Sequence, residues 1–191
     1  MVAEMLEAGI IQPSQSYFSA SVVLVHKNDW SWHICPYYRE IKKLTIIDKF
    51  SILFIDEWLD ELHGEIYFTK MDLRSRYNQI RMKIEEIMKT LFITHEGHYE
   101  FLAIPFGLSN SPSTFQGLMN SIFKPFLRKF VLVFFDDVLI YNKSWKDHVQ
   151  HVDMVLKLLE EKQLYSKNSK CFFRVQEVEF WVILYLMRVL S

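Results

Sequence analysis

Apolar positions recur along the chain with two different periods. Ile55, Trp58, Leu59 and Leu62 fall at i, i+3, i+4 and i+7, the spacing of one helix face, and Gly64 closes that segment. Between them Asp56, Glu57, Asp60 and Glu61 form a solvated face. A second helix is predicted from Ser111, with Pro112 at its first position and Phe115, Leu118, Met119, Ile122 and Phe126 on a broad apolar face, until Pro125 bends or ends it. A third opens at Ser144 on a Ser-x-x-Asp capping pattern and buries Val152, Val155, Leu156 and Leu159. A short helix from Ala3 to Ala8 stops at Gly9.

The other period is that of strands. Runs at Ser21 to His26 and Trp32 to Cys35 flank "KNDWS", and "EIYFTKMDL" reads as a strand entering Asp72. "MKTLFITHEGHYEFLAI" gives two strands joined through His95 to His98, with Gly97 supplying the turn. Helical and extended segments are mixed rather than strictly alternating, which predicts an α+β fold with an antiparallel sheet packed on helices.

One strand pair carries the candidate chemistry. In "VLVFFDDVLIYNK", Val131 to Lys143, an apolar run meets Asp136 and Asp137 and resumes at once with Val138, Leu139 and Ile140. Burying an unpaired carboxylate costs several kcal/mol or forces it to take up a proton, so a compensating group is required. The pair sits at or near a hairpin tip, and successive side chains point to opposite faces. Asp72 also ends an apolar strand. If the two strands are neighbours, Asp72 and Asp136 can meet, and a divalent metal with hard-oxygen preference would compensate both. Asp is common in ordinary turns, so the aspartates alone leave function open.

Composition narrows the picture only a little. The chain has 191 residues, half of them hydrophobic and 16% aromatic, with five Gly and five Pro, enough for one well-filled domain of one or two lobes. A formal charge of −1 gives no electrostatic indication for or against nucleic acid. Cys35 and Cys171 match no metal or redox spacing, and reduced thiols in an intracellular compartment are expected, cytoplasm and nucleus being indistinguishable. No apolar run reaches the ~18 residues of a membrane span, so no membrane is expected as a partner. The apolar ending "EFWVILYLMRVLS" suggests a piece of something longer.

"SWHICPYYREIKKLT", "MDLRSRYNQIRM", "KTLFITHEGHYEFLAIPFGLSNSPSTFQGLMNSIF" and "FFDDVLIY" closely resemble, in this order, motifs of reverse transcriptases from gypsy-type long-terminal-repeat retrotransposons. The likeness runs over nearly the whole chain. It implies the fingers and palm of a right-hand polymerase, residues 1 to about 68 mainly fingers and 69 to 191 mainly palm with some fingers, without thumb, ribonuclease H, protease or integrase segments. The implied activity is RNA-directed DNA polymerisation, with two Mg²⁺ ions, or Mn²⁺, held by Asp72, Asp136 and Asp137. Asp137 would be the less direct partner. The implied partners are an RNA or DNA template with its primer, deoxynucleoside triphosphates, and other parts of a Pol polyprotein.

By the same resemblance Lys27 and His33 face the triphosphate, Tyr77 lies under the deoxyribose and rejects a 2′-hydroxyl, Phe106 and Gly107 line the nucleotide pocket, and Arg39 lies close to the template. Gln116, in the following helix, reads as polar surface. His95, His98, His148 and His151 have spacing that could hold zinc, but no cysteine pair completes such a site and the family binds no metal there.

Several positions depart from the family pattern. His33 stands where an arginine grips the triphosphate, and a largely neutral imidazole offers no fixed fork of donors. Pro36 falls in a strand, where it removes a ladder donor, and Tyr37 replaces an acidic residue. Arg76 stands for a glycine beside the presumed metal site, Asn78 for a histidine, and Trp181 and Val182 fall where the family has a Leu-Gly-His turn. These departures define an alternative: a catalytically inactive retroelement remnant that at most binds nucleic acid or protein.

Overall fold

The computed structural model describes residues 1–26, 32–48, 60–73, 76–166 and 168–175. In chain order the elements are α1 (Val2–Glu7), β1 (Ile11–Pro13), β2 (Val22–His26), β3 (Trp32–Pro36), α2 (Arg39–Leu44), β4 (Tyr67–Asp72), α3 (Ile84–Ile87), β5 (Phe92–Thr94), β6 (Gly97–Phe101), α4 (Ser111–Phe123), β7 (Val131–Phe134), β8 (Asp137–Asn142), α5 (Trp145–Glu161) and β9 (Phe172–Val175). The chain folds into two compact units that interleave in sequence, one of residues 1–49 and 75–115, the other of 50–74 and 116–191.

The first unit holds an antiparallel sheet ordered β1-β6-β5 and the two-stranded β2-β3 ladder. Its core is built by Val2 of α1, Ile11, Ile34, Phe92 and Phe101. α1 ends at Gly9, whose φ of +61° is a left-handed conformation that glycine adopts without a Cβ clash. Pro36 lies opposite Val22 at the end of the β2-β3 ladder, so it interrupts no interior pairing.

The second unit is organised by a four-stranded antiparallel sheet ordered β7-β8-β4-β9. β4 runs in continuous register against β8, from Tyr67 opposite Asn142 to Asp72 opposite Asp137. Both strands of the β7-β8 hairpin are buried on both faces, Val131, Leu132, Val133, Val138, Leu139, Ile140 and Tyr141 being at most 5% exposed, which explains the unbroken apolar runs in the sequence. α5 packs on β8 and β4, and its start is capped by Ser144, whose Oγ accepts from the Asp147 amide at 3.1 Å.

Three expectations about faces need correction. Leu118 of α4 and Leu156 of α5 are exposed, and Gln116 of α4 is buried; His148 of α5, for which no face was expected, is buried as well. The helical stripe is therefore rotated toward polar residues whose hydrogen-bond partners come from distant segments. Of the helix expected around 55–62, residues 55–59 lie outside the described residues, and 60–62 are helical. Trp181 and Val182 also lie outside them.

Candidate active site

β7 and β8 are joined by a two-residue turn, Phe135 and Asp136, with Phe134 paired to Asp137. Such tight loops need a left-handed residue at the first central position, and Phe135 supplies it with φ +50°. A bulky residue there is strained. The turn is tied to β4 by the Leu73 amide, which donates to the Asp136 carbonyl at 2.8 Å. Continuous pairing of β4 with β8 then sets Asp72 directly across from Asp137. The structure thus sets the three aspartates that the sequence singled out at one end of the second unit's sheet.

Lysines answer the question of charge compensation in the protein itself. Lys70 lies two residues before Asp72 on the same face of β4 and diagonally across from Asp137, whose carboxylate it meets at 2.9 Å; both side chains are at least four-fifths buried. Lys170 meets the Asp72 carboxylate at 3.3 Å from a short turn of helix before β9. Burial is the largest influence on Asp137 and raises its pKa; the charges of Asp136 and Asp72 push the same way, and Lys70 opposes them. Mutual repulsion of this kind is what a divalent cation relieves, and an all-carboxylate donor set suits Mg²⁺ or Mn²⁺ rather than zinc. Among the described residues no group of three or more His, Cys, Asp or Glu side chains converges as a ready metal cage.

A further contact at this turn comes from α4. The Gln116 side chain, 6% exposed, accepts from the Phe135 amide at 2.5 Å and donates to the Val133 carbonyl and to Asn120 Oδ1, both at 2.9 Å. Sequence reading missed Gln116, Lys70 and Lys170. The signals for the first two were present: a polar residue three before Met119 and seven before Phe123 on a helix, and a lysine inside an apolar strand. Lys170 had none, because its approach depends on where β9 joins the sheet.

The first unit carries the other predicted residues. Tyr77 is 5% exposed and edge-on to Phe106 at 5.1 Å and to Phe115 at 5.8 Å, so its ring is fixed. Gly107 has φ +98°, and a Cβ there would lie 3.0 Å from the Pro36 carbonyl oxygen. Arg39 is exposed at the first turn of α2. His33 pairs through its backbone with Val25, but its side chain, like that of Arg76 and the whole of Lys27, lies outside the described residues. His95 is exposed on the β5-β6 turn, beside His98, whereas His148 and His151 belong to the second unit and are hydrogen-bonded to Asn142.

Comparison with known proteins gives these positions a common frame. The family described as "Reverse transcriptase (RNA-dependent DNA polymerase)" matches residues 25–182. The chain is 40% identical over 184 residues to the retrovirus-related Pol polyprotein from transposon 297 of Drosophila melanogaster, covering 94% of this chain and 17% of that protein. It therefore spans about a sixth of the length of that relative. Among solved structures, foamy viral protease-reverse transcriptase in complex with double-stranded DNA is similar with a TM-score of 0.85 at 20% identity, over 94% of this chain and 31% of that one. The same enzyme in complex with an RNA/DNA hybrid gives 0.83 at 20% identity, over 94% and 24%. At such identity these two structures establish a shared polymerase fold.

Proposed function

The chain belongs to the reverse transcriptase family, as the domain found in retrotransposon Pol polyproteins, and from this we propose that it extends a primer by nucleotidyl transfer on an RNA or DNA template, within a Pol polyprotein of gypsy type. The observation that carries the reading is the register of β4 against β8, which holds Asp72 opposite Asp137 with Asp136 in the turn between β7 and β8. In this proposal the second unit is the palm and the first the fingers.

Asp72 and Asp136 offer carboxylate oxygens to the divalent ions, Mg²⁺ or Mn²⁺. When bound, such ions supply charge neutralisation at the attacking primer hydroxyl and the leaving pyrophosphate. Asp137, engaged by Lys70, acts less directly and fixes the end of the sheet. Tyr77, immobilised between Phe106 and Phe115, presents a rigid wall suited to excluding a 2′-hydroxyl. Gly107 keeps the backbone beside that wall free of a side chain. Lys27 and His33 are assigned to the triphosphate, and Arg39 to the template phosphates. Deoxynucleoside triphosphates are the substrates, which places the reaction inside the cell. Among the described residues no helix is long and apolar enough to cross a membrane.

Primer extension on an RNA template with Mg²⁺ or Mn²⁺, beside an Asp136→Asn control, tests the proposal. Incorporation that falls at least about 100-fold in the control supports it, a loss of the size seen when a transition-state charge partner is removed. No incorporation by the unaltered protein with either metal would overturn it in favour of a binding remnant.

A further inference from the structure

The turn that presents Asp136 contains a conformation its own sequence disfavours. Phe135 holds φ +50° with a bulky side chain, at a position where glycine is the usual solution and where an L-residue costs of order 1–2 kcal/mol. A strained residue persists only where its surroundings hold it. Here the holding group is identifiable. Gln116 Oε1 takes the Phe135 amide, and Gln116 Nε2 takes the Val133 carbonyl two residues earlier, so one carboxamide bridges both ends of the approach to Asp136. The second Nε2 proton goes to Asn120 Oδ1, one helical turn further along α4, which fixes the plane of the amide. All three of these hydrogen bonds are made in a site only 6% exposed.

We propose that Gln116 is a positioning residue for the metal-binding carboxylates: through Phe135 it locks the β7-β8 turn in the shape that aims Asp136, with Asn120 as its brace. The inference rests on the polymerase reading for its purpose, but the lock itself does not depend on it. A carboxamide offers an acceptor and two donors in one plane, which lets this one side chain serve two groups two residues apart and its brace at once. A hydrophobic replacement of equal size would fill the space and leave the Phe135 amide and Val133 carbonyl unpaired.

Two measurements on the whole chain test this. Backbone amide exchange should find the Phe135 amide protected in the unaltered protein and exchanging at least about tenfold faster in Gln116→Met, while amides of β4 keep their protection. Mn²⁺ affinity, followed by electron paramagnetic resonance, should fall about tenfold in Gln116→Met, the scale on which outer-sphere partners act on metal sites. Asn120→Ala, which removes only the brace, should shift both in the same direction by less, and it carries the test if Gln116→Met does not fold. Unchanged exchange at Phe135, or Mn²⁺ affinity within twofold of the unaltered protein in both variants, would overturn the proposal. Absence of Mn²⁺ binding in the unaltered protein would overturn the metal role and the polymerase reading together, and the exchange result would then decide the lock alone.

Discussion

Two hairpins among the described residues, β7-β8 and β2-β3, are built to opposite specifications. β7-β8 is covered on both faces, is paired on one side to β4, and has an α-helical carboxamide across its turn. β2-β3 is a two-stranded ladder whose Val23, Leu24 and Val25 are 44–54% exposed and which reaches the first unit's core chiefly through Val22 and Ile34. A two-stranded ladder has little stability of its own. Strict packing leaves few tolerable substitutions, whereas a half-exposed strand accepts many at small cost.

This contrast can be broken by measurement. Leu139→Ala in β8, at a side chain 1% exposed, should lower unfolding free energy by about 2–5 kcal/mol in urea denaturation, and Val23→Ala in β2 by no more than about 0.5 kcal/mol. Comparable losses at the two sites would erase the distinction.

A smaller effect is expected from the polar brace of the buried hairpin. Asn142 Oδ1 can only accept, so His148 Nδ1 donates to it at 3.0 Å, and the neutral ring then accepts from the Thr69 hydroxyl at 2.8 Å. Asn142 Nδ2 donates in turn to His151 Nδ1 at 2.7 Å. His148→Ala should cost about 1–3 kcal/mol, because Thr69 and Asn142 each lose one hydrogen bond inside the unit. Gly107→Ala probes the end of the exposed hairpin, where φ +98° and the nearby Pro36 carbonyl oppose a Cβ; a loss of about 1–2 kcal/mol is expected by the same assay.

The smallest effect concerns pH. Burial lowers the pKa of both His148 and His151; the charge of His151 adds to this at His148, and Asp147 opposes it at His151. The folded protein therefore binds fewer protons than the unfolded chain below about pH 6.5, the ordinary imidazole value. Stability contributed by the neutral rings is fully present above that pH and declines as pH falls toward the lowered folded values. Melting temperature should drop between pH 7 and 5, and His148→Gln should flatten the slope. An identical slope in the variant would show that the brace does not titrate as described.

Much of this architecture was legible in the sequence because periodicity reports burial directly. The apolar run through Val131 to Phe134 and its resumption at Val138 announced a hairpin with the aspartates near its tip, and "YFTKMD" a strand that ends in Asp72. What stayed hidden were buried polar groups. The positions of Gln116 and Lys70 on apolar elements marked them as unusual, but their partners Val133 and Asp137, like Thr69 for His148, are distant in sequence and only the fold brings them in. The packing of Tyr77 against Phe106 and Phe115 was not legible, since the resemblance assigned Tyr77 to the deoxyribose and an aromatic at that spacing has no period of its own.

The central claim is that Asp72, Asp136 and Asp137 form a divalent-cation site at the end of the second unit's sheet. Isothermal titration of Mn²⁺ into the unaltered protein and into Asp136→Asn addresses it most directly, with melting temperature as the control for folding. The account predicts saturable binding that weakens at least about tenfold in the variant while the melting temperature is kept. Equal binding in the two proteins would contradict it.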